Sequence, residues 1–188
     1  MEICTLRDFP EAFALLEEAF PDTEIRTMEG QRALLSRSHY RLLLERAKGG
    51  SLSAVLAVWE FSSFRYVEHI AVSPAARGQG LGARLLTAYL SESPSPVFLE
   101  VEPPETETAR RRIGFYRRLG FHLNKFPYVQ PPLREGKHPL PLCVMSWPEP
   151  VDESAFQPVR AEIYRAVFGL SSGNRQPCFP PEGRTRFY

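Results

Sequence analysis

At 188 residues, 43% hydrophobic and 24% charged, the chain is long enough for one domain with a small appendage and for a sizeable core. A formal net charge of +1 gives no electrostatic reason to expect nucleic acid or a membrane surface as the main partner. Cys4, Cys143 and Cys178 are odd in number and lack C-x-x-C or matching histidine spacing, which excludes complete internal pairing and argues against a zinc site. No basic-then-apolar leader is visible, and no apolar run approaches the ~18 residues a membrane span needs, so the expected setting is the reducing cytoplasm.

In chain order, residues 2–6 alternate as a short strand. Asp8, with Pro10 and with Glu11 three residues on, reads as the N-cap and capping box of a helix over 9–20 that carries Phe13, Leu16 and Phe20 and stops at Pro21. Thr27 opens a shorter helix bearing Ala33, Leu34 and Leu35. Strands follow over 40–45, 51–61 and 64–72, joined at Gly49-Gly50 and at Ser62-Ser63. Leu81, Leu85, Ala88 and Tyr89 then recur at helical spacing within 80–91. Residues 97–102 form the next strand, and 108–119 the next helix, closed by Gly120. Residues 121–126 and 140–147 are the last strands, with a long loop through Gln130-Pro131-Pro132 between them.

Pro148 and Pro150 mark a boundary, after which 153–168 places Phe156, Val159, Ile163 and Val167 on one helix face. From Ser171 no periodicity survives, and that tail is expected to be mobile or draped over the surface. Hairpins followed by one parallel strand–helix–strand crossover point to an α+β fold with a mixed, mostly antiparallel sheet. The expected organisation is a domain over 1–148, an accessory helix over 149–170 and a tail over 171–188.

Between Ser73-Pro74 and the helix lies Arg77-Gly78-Gln79-Gly80-Leu81-Gly82. Glycines let the backbone approach an anion, and the first N–H groups of the following helix point at it. Gly-Lys-Ser/Thr is missing, so this is no Walker loop, and the order G-x-G-x-x-G of a dinucleotide fingerprint is missing too. The segment resembles the signature Q/R-x-x-G-x-G/A of the GNAT superfamily of N-acetyltransferases, preceded here by His69-Ile70-Ala71-Val72-Ser73-Pro74. A second segment, Phe115-Tyr116-Arg117-Arg118-Leu119-Gly120-Phe121, is similar to that superfamily's F/L-Y-x-x-x-G-F.

The resemblance implies a GNAT fold over residues 1 to about 147, acetyl-CoA as co-substrate and no metal. It implies that Arg77, Gly78, Gln79, Gly80, Leu81, Gly82 and Ala83 hold the CoA pyrophosphate, mostly through backbone N–H groups. Ile70, Ala71 and Val72 would line the pantetheine arm, and Tyr116 would protonate the departing thiolate. One departure stands out. Many members carry Asn seven residues before this tyrosine, and here the position is Ala109.

Acetylating an amine near neutral pH requires a proton acceptor, because a free alkyl amine has a pKa near ~10.4. Strict strand alternation puts Tyr66, Glu68 and Ile70 on one face and His69 on the other. Glu68 is therefore the first candidate base; the alternative is a structural hydrogen bond at the sheet centre. Glu100 and Glu102 are candidates for a cationic acceptor pocket or for the base itself. Glu24 and Arg26, with Tyr128 and Gln130, are candidate acceptor contacts. The expected function is transfer of acetyl from acetyl-CoA directly to a primary amine of a small molecule or amino acid. The alternatives are a protein or peptide N-acetyltransferase and a non-catalytic acyl-CoA-binding module. A homodimer is possible through the C-terminal helix.

Overall fold

A computed structural model describes residues 1–170. Its elements are β1 (Glu2–Ile3), α1 (Phe9–Ala19), α2 (Met28–Ala33, continued by a 3₁₀ turn, Leu34–Ser36), β2 (Tyr40–Arg46), β3 (Leu52–Glu60) and β4 (Arg65–Val72). A 3₁₀ turn (Pro74–Ala76) leads to α3 (Leu81–Ser91), β5 (Val97–Val101), α4 (Glu107–Arg118), β6 (His122–Leu123), β7 (Tyr128–Gln130), β8 (Leu140–Trp147) and α5 (Glu153–Ala166). The tail over 171–188, with Cys178, lies outside the described residues. By its contacts the chain divides into two units, Met1–Leu99 and Glu100 onward, so the division falls inside β5, whereas the sequence pattern suggests a boundary at Pro148. Among the described residues no helix is long and apolar enough to cross a membrane.

In the first unit the strands pair in the order β1-β2-β3-β4-β5, antiparallel except for the β4/β5 pair. All of β3 except Glu60 is buried. A strand buried along its length is covered on both faces, and α1 and α3 are the helices that pack on it. They contribute Phe9, Ala12, Phe13, Leu15 and Leu16, and Leu85, Leu86, Tyr89 and Leu90. In the second unit β8 pairs antiparallel with β6 and with β7. Phe156 and Ile163 of α5, each 1% exposed, anchor that helix.

Local signals give most helix starts correctly. Thr27 accepts from Gly30 N–H at 3.1 Å, as its position predicts, and Thr106 and Asp152 cap α4 and α5 in the same way. Asp8 does not form the predicted capping box. Its carboxylate accepts from Thr5 N–H (3.1 Å) and Thr5 Oγ1 (2.5 Å), and both it and Glu11 turn to Arg46, at 3.1 and 2.8 Å. A guanidinium brought in by β2 outcompetes the backbone.

The predicted strand over 121–126 is only two residues long. Beyond it Asn124 N–H still reaches Val144 O, while its side chain takes Val151 N–H and Ser146. Conversely, β7 forms where a loop is predicted, with Tyr128, Val129 and Gln130 all buried. Three residues followed by two prolines are too short to show a period.

One buried cation ties the crossover together. Arg65, 4% exposed, donates to the carbonyls of Tyr89 (2.7 Å), Leu90 (3.4 Å), Ser93 (2.7 Å) and Ser95 (3.2 Å) and lies 4.7 Å from the Tyr89 ring centroid. It thus satisfies the last carbonyls of α3, where a positive charge is favoured. Arg65→Met should destabilise the chain by about 2–4 kcal/mol, since several buried carbonyls lose their donor. Arg65→Lys should recover less than half, because one ammonium cannot span the carbonyls a guanidinium fork reaches. Urea unfolding of both variants measures this.

Candidate active site

The glycine turn is built as a donor array. Gly78 (φ +76°) and Gly80 (φ +71°) adopt the left-handed conformation that favours glycine. A Cβ on Gly78 would meet nothing within 4 Å, so the requirement there is conformational, not one of space. Arg84 N–H to Gly80 O, at 3.1 Å, is the first hydrogen bond of α3, which leaves the N–H groups of Leu81, Gly82 and Ala83 at the helix start without an intrahelical acceptor. Arg77 Nε donates to Val72 O (3.0 Å) and Arg84 Nη1 to Gln79 O (2.7 Å), so two guanidiniums flank the turn. A diphosphate fits such a set of donors and charges.

β4 leads into this turn. Its ladder with β5 pairs Arg65↔Val97, Tyr66↔Phe98 and Val67↔Leu99 and stops there, while β4 runs on to Val72. Against β3 the register passes from Val58↔Val67 to Ala57↔His69, so Glu68 is an extra residue, a β-bulge. In this stretch Glu68, Ile70 and Val72 are partly exposed, while Val67, His69 and Ala71 are buried. The Glu68 side chain is only 2% exposed, so its exposed part is main chain.

The bulge overturns the predicted alternation. Glu68 and His69 do not diverge to opposite faces; both reach the connection between α1 and α2. Glu68 Oε1 pairs with Arg26, whose side chain is 9% exposed, and Oε2 accepts from Trp59 Nε1 at 2.9 Å. His69 Nε2 lies 2.7 Å from Glu24 O. A carbonyl only accepts, so Nε2 carries the proton. The ring packs edge-on to Phe20, with centroids 4.6 Å apart, and Nδ1 is buried without a hydrogen-bond partner among the described residues. Burial drives the His69 pKa down, which keeps the imidazole neutral. Burial alone would push the Glu68 carboxyl up. The Arg26 charge and the hydrogen bonds from Trp59 and Arg26 outweigh it and hold the group below the usual carboxylate range.

Among the other candidates, Glu100 Oε1 accepts from Tyr128 Oη, and Oε2 accepts from Gln130 Nε2 at 2.7 Å. The Gln130 amide must turn its nitrogen to the carboxylate, which leaves Oε1 buried and without a partner among the described residues. Glu102 does not join this group: it lies past the end of β5 and meets Arg112 at 3.0 Å, an exposed pair worth little. Tyr116, on α4, is 6% exposed and sits edge-on to Phe115 and Phe121. Its hydroxyl makes no hydrogen bond with the described residues. Burial pushes it up to about 12, with the Arg112 charge working the other way, so it keeps its proton at neutral pH. Ala109, at the position where many superfamily members carry Asn, is buried, and its N–H is capped by Thr106. No group of three or more His, Cys, Asp or Glu among the described residues is placed to hold a metal ion.

A bulged central strand that feeds a glycine turn at a helix start is the arrangement of the GNAT fold. The chain belongs to the Acetyltransferase (GNAT) family, whose model matches residues 7–121. It is 37% identical over 109 residues to a Bacillus subtilis (strain 168) protein named "Putative acetyltransferase YjbC", a match over 56% of this chain and 54% of that protein. The chain thus spans about half the length of this curated relative. A solved structure titled "Putative acetyltransferase from GNAT family from Bacteroides thetaiotaomicron" is 33% identical, with a TM-score of 0.83 over 90% of this chain and 98% of that one. The Escherichia coli ribosomal-protein-S18-alanine N-acetyltransferase, 20% identical with a TM-score of 0.57 over 77% and 90% of the two chains, shares the fold.

Sequence reasoning passed over Trp59 and Tyr164. Trp59 stands in an all-apolar run, which hides its N–H. Tyr164 lies eight residues after Phe156, on the same helical stripe, and that spacing is the signal that marks it.

Arg26→Met should destabilise by about 3–5 kcal/mol, because it strands a buried carboxylate, and adding Glu68→Gln should restore much of that. The sign with pH follows. With its folded pKa depressed, Glu68 contributes stability above its unfolded value, near ~4.3, and that contribution is lost as pH falls through the folded value. In Arg26→Met the carboxyl is pushed up instead, so the gap to the parent should narrow on acidification. Urea unfolding from pH 7 to pH 4 reads both effects.

Proposed function

We propose that the protein transfers the acetyl group of acetyl-CoA directly to a primary amine of a small molecule or amino acid. The observation that carries this reading is the set of N–H groups without an intrahelical acceptor at the start of α3, behind the two left-handed glycines and beside a strand that outruns its ladder. Those donors suit a pyrophosphate, and the stretch of β4 beyond its β5 ladder, where Glu68, Ile70 and Val72 are partly exposed, suits an extended pantetheine amide chain. Acetyl-CoA supplies an electrophilic thioester. The amine nitrogen attacks its carbonyl carbon, the C–S bond breaks, and the sulfur leaves as a thiolate. The Tyr116 hydroxyl, protonated at neutral pH, donates to that sulfur, and the positive charge of Arg112 eases release of the proton.

The base role suits Glu100 better than Glu68. Both Glu68 oxygens are engaged, one of them by a buried cation, and a carboxylate held below its usual range is a weak proton acceptor. Glu100 is half-buried, and Tyr128 and Gln130, both neutral, each donate to one of its oxygens. Glu68 is then a fixed anchor that holds Arg26 and the segment over 24–26.

Gly80→Asp fits the left-handed backbone, which aspartate tolerates, but sets a negative charge at the turn. It should weaken acetyl-CoA binding at least about tenfold, and isosteric Gly80→Asn much less. Isothermal titration compares them; equal losses would remove the pyrophosphate from this turn. Tyr116→Phe should lower kcat by about a hundredfold while acetyl-CoA affinity stays within about twofold. Thiol release with 1,3-diaminopropane, glycinamide and a peptide with a free N-terminal alanine reads that rate. Turnover with the peptide alone would favour a protein acceptor, and acetyl-CoA binding without turnover a non-catalytic module.

A further inference from the structure

β7 is three residues long, yet two of them aim donors at one carboxylate. Tyr128 and Gln130 alternate with Val129, so they share a face of the strand. Tyr128 Oη reaches Glu100 Oε1, and Gln130 Nε2 reaches Oε2 at 2.7 Å. A donor on each oxygen fixes the plane and direction of the carboxylate, so the aim of Glu100 depends on where β7 sits.

Val129 stands opposite Pro141, which has no N–H, so the two do not form a hydrogen-bonded pair and the Val129 carbonyl faces away from β8. That carbonyl accepts from Tyr164 Oη of α5. The same helix supplies Phe156, whose ring stacks on Phe126 (5.1 Å, 26°) and meets Tyr128 edge-on (5.8 Å, 71°). The Tyr164 ring lies 6.0 Å from that of Tyr128. Helix α5 therefore grips both the main chain of β7 and the ring whose hydroxyl grips Glu100. Burial first, and the Glu100 charge second, raise the Tyr164 pKa, which keeps its hydroxyl a donor. The match to the family model ends at residue 121, so all of these groups except Glu100 lie outside it.

We infer that α5, through Tyr164 and Phe156, is a positioning element of the acceptor side of the site, setting β7 and thereby the direction of the Glu100 carboxylate. Its kinetic consequence rests on the role proposed above for Glu100; its geometric consequence does not. The two are tested separately on the full chain.

In protein labelled with ¹³C at the glutamate carboxyl, Glu100→Gln assigns the Glu100 resonance by its disappearance. Tyr164→Phe keeps the ring and removes only the hydroxyl, and it should displace that resonance although Tyr164 does not bond Glu100. Tyr128→Phe, which removes a direct donor, should displace it further. In thiol-release assays with 1,3-diaminopropane and glycinamide, Tyr164→Phe should lower kcat/KM for the amine about tenfold while KM for acetyl-CoA stays within about twofold. A Glu100 resonance unmoved in Tyr164→Phe would overturn the inference. So would a parallel fall in acetyl-CoA affinity, the mark of general loss of structure. A parent chain inactive on every amine would instead count against the proposed reaction, and the Glu100 resonance would still decide whether α5 sets that carboxylate.

Discussion

Glu68 stands where β4 carries one residue more than β3 can pair, and much of the first unit follows from that mismatch. A bulge shifts the parity of a strand and increases its local twist. Here it sends two adjacent side chains, Glu68 and His69, to the same connecting segment, so residues 24–26 are held by an ion pair and by a carbonyl hydrogen bond. The ladder to β5 ends one residue before the bulge. From there β4 keeps β3 on one edge and carries the partly exposed Glu68, Ile70 and Val72 toward the glycine turn.

The two ends of α3 show how one helix serves structure and chemistry with the same backbone physics. Its last carbonyls are satisfied by the buried guanidinium of Arg65, a cation where the helix dipole favours one. Its first N–H groups lack an intrahelical acceptor and follow exposed glycines. In the reading proposed above, that end is left to an anion.

The second unit uses aromatic packing and hydroxyl donors for a similar purpose. Phe126, Tyr128, Phe156 and Tyr164 form a contiguous set of rings, and the two tyrosine hydroxyls project from it onto Glu100 and onto a strand carbonyl. Rings restrict motion with few rotatable bonds, so the donors they carry are held in place. Glu68 and Glu100 both have two engaged oxygens: Glu68 faces the buried Arg26 cation, and Tyr128 and Gln130, both neutral, donate to Glu100.

Much of this was legible in the chain alone, because it rests on contacts between neighbours in sequence. The glycine turn, the cap at Thr27, the helix stripes and the long strands all depend on residues a few positions apart, and local backbone physics determines them. What sequence could not give depends on residues far apart. Asp8 yields its cap to Arg46, thirty-eight positions away; Glu68 meets Arg26; β7 exists because β8 and α5 bury it. The bulge decided most, since a single unpaired residue leaves no trace in a period-two pattern yet reverses the face of every side chain beyond it. Sequence set the turn that an anion would meet, and only the tertiary structure decided which carboxylate is locked and which is aimed, because burial and pairing arise only once distant segments touch.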